Sequence, residues 1–201
     1  MSGSYVDTAK VDLKYLNDVN DAEVGSNIAS AVQARFAGVL GKLLQVTRDE
    51  ALGLSDLAIG TLYGGVYQYV QFKAGSTVAN ARGQVVFYSS DADRGNYIVT
   101  PDPTTVLTGF AGITLNVVSK GNYGWIQYVG VATCLCKATV TDVTLNDPAF
   151  VVSDSSIGKV DANTVASITA AQLAVRIGTF WEAPANGGLK KVLLSGHYGN
   201  F

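Results

Sequence analysis

Between residues 111 and 136 the chain reads AGITLNVVSKGNYGWIQYVGVATCLC, a stretch that leaves little choice of local structure. Ile113, Leu115 and Val117 alternate with Thr114, Asn116 and Val118, so each set lines one face of an extended strand. Lys120, Gly121 and Asn122 interrupt the run, and Gly and Asn tolerate the positive φ of a tight reversal. The return run places Trp125, Gln127 and Val129 on one face and Ile126, Tyr128 and Gly130 on the other. Gly130, set among β-branched and aromatic residues, predicts a bulge or the close approach of another backbone. A hairpin is expected here.

The same punctuated pattern recurs along the chain. Residues 66–73 (VYQYVQFK) alternate cleanly, and residues 84–88, 97–100, 139–145, 149–153, 157–160, 174–181 and 190–195 read as further short strands. Residues 89–96 (SSDADRGN) form the most polar loop, and Asn146, Asp147 and Pro148 mark a turn. Short strands at turn-marked intervals, with 22 glycines, predict a mainly β fold. The expected architecture is a small barrel or sandwich of short antiparallel strands.

The N-terminal quarter differs. Residues 1–20 are polar with isolated Tyr and Leu and no sustained period, the pattern of an extended arm. Ile28, Val32 and Phe36 recur at helical spacing behind Ser26 or Asn27 as an N-cap, so a short helix is expected over residues 27–37. Gly38 and Gly41 end it, since each costs up to ~1 kcal/mol relative to Ala inside a helix. The division that follows is an arm over 1–20, a helical or irregular docking segment over 21–56, and a β domain over 57–201.

Charge narrows the function. Charged residues make up 15% of the chain and hydrophobic ones 48%, against a usual charged share of about 25%. An exterior so poor in charge implies that part of it is covered by copies of the chain or by another protein. The 14 Lys and Arg residues are scattered and the net charge is -2, so the basic footprint of a nucleic-acid partner is missing. No run approaches the roughly 18 apolar residues of a membrane span, and the first residues lack the apolar core of a signal peptide. Synthesis in the cytoplasm of the cell that makes it, with no membrane partner, is the expectation.

The chemistry-bearing residues do not converge. His197 is the single histidine, close to the end of the sequence, so a His-assisted serine would need it to fold back onto the body. Cys134 and Cys136 share one strand face two residues apart, a poor geometry for a mutual disulfide; they read as small buried apolar residues. One His and one Cys pair do not make a zinc set. Ser89, Ser90, Asp91 and Asp93 lack the further oxygens of a calcium loop. Of the three glutamates, Glu182 beside Trp181 is the candidate for a carboxylate pair, though no aspartate is singled out to join it. Residues 60–65 (GTLYGG) lack the Lys and Ser or Thr of a phosphate-binding loop. No enzyme, cofactor or metal is expected, and a hydrolase using Glu182 or His197 ranks last.

Three segments together resemble structural proteins of tailed-bacteriophage heads, in particular capsid decoration or cement proteins. They are the aromatic strand, Ala-Gly loop and Gly-x-Val-Val strand over residues 67–88, the Lys-Gly-Asn-Tyr-Gly-Trp hairpin over 120–125, and the glycine-rich closing strand over 187–196. The resemblance covers residues 57–196 and implies a protein on the outer surface of a virion capsid. Its partner would be the major capsid protein, and its copies would gather as a homo-oligomer, a trimer by preference. The arm would order on contact, with Tyr5, Leu13, Tyr15 and Leu16 as anchors and Phe36 as a second contact. The alternative is a carbohydrate- or receptor-binding β module on a virion surface, which would use Trp125 or Trp181 as a stacking platform.

Overall fold

The computed structural model describes residues 40–41, 43–46, 64–75, 81–102, 109–115, 120–137, 145–151, 158–162, 176–182 and 188–195. They hold ten strands and one helical turn. The strands are β1 (Leu43–Val46), β2 (Gly65–Phe72), β3 (Val85–Phe87), β4 (Ile98–Val99), β5 (Phe110–Thr114), β6 (Tyr123–Leu135), β7 (Pro148–Val151), β8 (Val160–Ala162), β9 (Arg176–Phe180) and β10 (Leu189–Leu194), with α1 (Asp91–Gly95) between β3 and β4. The expected β class is what the chain adopts. The expected helix over residues 27–37 lies outside the described residues, as do the arm over 1–20 and the proposed strand over 139–144.

All ten strands belong to one sheet, whose main path runs β1-β2-β6-β10-β9-β7-β8. Every pairing is antiparallel except that of β4 with β2. The 13-residue β6 is the spine: its first part pairs β2 and its last part β10, while β5 pairs it at Gln127 and Ile126. The path then bends back on itself. Val160 of β8 bridges Cys136, and its carbonyl accepts from Lys137 N at 2.9 Å. Val85 N of β3 donates to Gly158 O at 2.8 Å, and β3 returns to β6 through β5. A barrel-like circuit of β6, β10, β9, β7, β8, β3 and β5 results.

Bulges supply the curvature. Tyr128 is the extra residue where Val66 pairs Val129 but Tyr67 pairs Gln127. Ala111 is extra between Gly112 and Phe110 opposite β3, and Ile177 is extra between Gly178 and Arg176 opposite β7. Each bulge flips the face that later side chains meet, and the chain uses this to fill two cores. Inside the circuit lie Val85, Phe87, Ile113, Ala132, Cys134, Cys136, Val160, Ile177, Phe180, Val192 and Leu194, among others. Val70, Phe72, Val86, Val99, Ala111 and Ile126 form a second core under β2 and β4. The bulge at Ala111 is what sends it to the second core while Ile113, two residues on, enters the first.

Three sequence expectations change. Simple alternation put Val129 on the face of Gln127, but the bulge at Tyr128 turns Val129 to the opposite face. The polar loop over residues 89–96 contains helix α1, because Ser90 caps it by accepting from Asp93 N at 3.1 Å. Asp91 and Asp93 favour its first turn and Arg94 its last. The strand expected over 97–100 is shorter and begins after Tyr97, which has φ +54. The hairpin turn forms as expected: Gly121 has φ +82 and its N–H donates to Phe72 O at 2.8 Å, so the end of β2 holds it. The segment over 21–56 also contributes to the sheet, since β1 pairs β2 along its length.

Candidate interaction face

The face is built by the strands that close the barrel. Along β10, Val192 and Leu194 point into the core, so Leu189, Lys191 and Leu193 point out. Register places Leu135 opposite Leu189, Thr133 opposite Lys191 and Val131 opposite Leu193 on β6. On the other side Thr179 of β9 stands opposite Leu193, and Trp181 N donates to Lys191 O at 2.9 Å. Phe180 is buried, so its neighbour Trp181 turns outward with 52% of its surface exposed. Leu145 joins at the margin, where Asn146 N donates to Phe180 O at 2.9 Å. Leu145 is 54% exposed, Leu189 38% and Leu193 37%. Of the five large hydrophobic residues that stand exposed among the described residues, four lie here; the fifth, Leu43, is on β1.

Among the described residues, Glu182 and Lys191 bring an acid and a base to this apolar face. Glu182 Oε1 accepts from Lys191 N at 2.8 Å, which fixes the carboxylate over β10. Its other oxygen lies 4.0 Å from Lys191 Nζ, an ion pair too long for a hydrogen bond. Glu182, the carboxylate singled out by the sequence, thus braces the β9–β10 connection.

Trp125, the other proposed platform, is 7% exposed. Its ring packs tilted against Tyr69, with centroids 5.2 Å apart, and Tyr69 stacks on Tyr123 at 6.3 Å. The residue lies where β6 is covered on both faces, so the ring is not open to a sugar in this chain by itself. Tyr5, Leu13, Tyr15, Leu16 and Phe36 lie outside the described residues, as does His197.

The remaining polar clusters also read as braces. Lys73 Nζ donates to Ser89 Oγ at 2.6 Å and to Asp93 Oδ2 at 2.9 Å, and Ser89 Oγ donates to the same carboxylate. These contacts tie α1 to the end of β2. The Ser89 hydrogen bond, then Lys73, hold Asp93 below the usual carboxylate range. Serine and lysine are adjacent here, but the lysine acts as a donor to both partners, not as a base toward the serine. Burial pushes the Cys134 thiol far up and the Cys136 thiol to about 11, so both stay protonated near neutrality, as buried free cysteines. Among the described residues no cluster of three or more His, Cys, Asp or Glu could hold a metal, and no helix is long and apolar enough to cross a membrane.

Exposure of the outer face was not legible from the strand signal. Lys190 to Leu194 is apolar or amphiphilic on both faces, and only the closure of the barrel decides which face is outside.

No protein-family model matches the chain, and no curated protein matches it. Among solved structures it is similar to the N base of the head fiber protein gp8.5 of bacteriophage phi29, at 14% identity and a TM-score of 0.39. That likeness covers 64% of this chain and 92% of the fiber base chain.

Proposed function

We propose that the chain is a structural protein of a bacteriophage virion, which binds the outside of the capsid and stabilises the shell by bridging neighbouring capsomers. The observation that carries this reading is the apolar outer face of β6, β10 and β9, left open on a chain with 15% charged residues. A face of this kind is what a protein uses when its free-energy gain comes from docking on other proteins. The resemblance of residues 67–88, 120–125 and 187–196 to capsid decoration proteins supplies the kind of partner, the major capsid protein.

In this reading the protein is not an enzyme and needs no cofactor; its work is mechanical. Copies associate into a homo-oligomer, and arms of residues 1–20 carry Tyr5, Leu13, Tyr15 and Leu16 to the shell. Several arms on one assembly act at high effective concentration once the first has landed, which offsets the ordering cost of each. Co-sedimentation with expanded tailed-phage shells tests it. The full chain should pellet with shells and raise their resistance to heat, and a chain lacking residues 1–20 should stay in the supernatant. A full chain that leaves shells unaltered and remains in solution removes the reading.

Trp181 supports a second reading, because an indole 52% exposed beside a carboxylate can stack on a sugar ring. A carbohydrate- or receptor-binding module predicts saturable glycan binding that is lost in Trp181→Ala.

A further inference from the structure

We draw no further inference here: the strongest candidate, the outer face of β6, β10 and β9 where Trp181, Leu189 and Leu193 stand exposed, belongs to the site already described, and nothing in the structure shows what covers it.

Discussion

Gly65 stands directly opposite Gly130 across the β2–β6 ladder, and neither position has room for a side chain. A Cβ on Gly130 would lie 2.5 Å from the Gly64 carbonyl oxygen and 3.0 Å from the Gly65 Cα, and one on Gly65 would meet the Val129 carbonyl. Gly130 also has φ +97, a conformation that L side chains rarely adopt. Gly130→Ala should therefore destabilise by at least about 1–3 kcal/mol from backbone strain alone. Gly65→Ala, without the φ penalty, should still lose stability through the clash. Urea denaturation of both variants checks the order.

Gln127 is 2% exposed beside this glycine pair, and its side-chain Nε2 donates to Val129 O at 3.2 Å and to Val131 O at 3.1 Å. One amide thus spans the bulge at Tyr128 and holds its carbonyls. Gln127→Leu preserves volume but removes both bonds, and the expected loss is about 1–3 kcal/mol. Gln127→Glu loses the donor as well and should be no better. Chemical denaturation of the two variants, compared with the Gly65 series, shows whether amide and glycines act as one unit.

Acid should loosen α1 before the barrel. The folded value of Asp93 lies below its ordinary one, because Ser89 and then Lys73 favour the carboxylate. A depressed folded value contributes stability that is present above the unfolded carboxylate range and lost as pH falls through the folded value. Asp93→Asn should flatten this acid limb. The exposed pair itself is worth only about 0.2–1 kcal/mol, while removing the N-cap in Ser90→Ala should cost about 0.5–2 kcal/mol at neutral pH. Thermal melts from neutral to strongly acidic pH separate the two effects.

Alkali acts on the aromatic interior. Burial raises the Tyr67 phenol strongly, and burial, then Tyr97, pushes Tyr88 up to about 12. A raised folded value contributes stability that is full below the unfolded tyrosine value of about 10 and is lost as pH rises through the folded one. The protein should lose stability between about pH 10 and 12, and Tyr88→Phe should lessen the loss, at the cost of the Tyr88 hydroxyl bond to Gln68 Oε1 at 3.0 Å. Ultraviolet titration should show Tyr67 and Tyr88 ionising after the exposed tyrosines, together with unfolding.

What the sequence revealed follows from what local chemistry controls. Alternation in residues 66–73 located β2 because its polar and apolar side chains take turns, and Gly121 located the turn because few residues accept its φ. Gly130 announced a close approach without naming Gly65, since a partner 65 residues away leaves no local mark. Helix α1 had a readable start in Ser90 followed by Asp91 and Asp93, but one turn is too short for an apolar period to emerge. Trp125 looked like a surface platform because alternation gives two faces and does not say that both are covered. Leu189 and Leu193 were hidden by the converse ambiguity, being apolar residues that only barrel closure turns outward. The ladder order and the circuit through Val160 and Cys136 depend on long-range pairing, which no window of residues contains.

Strand β6 lends Ile126 to one core and Ala132 and Cys134 to the other. A beam shared between two rooms cannot be taken from one without dropping the ceiling of both. The sheet of described residues therefore has no natural seam: heat or force should collapse it in one event, and a copy fixed on a surface under tension would carry load across that whole sheet until it fails.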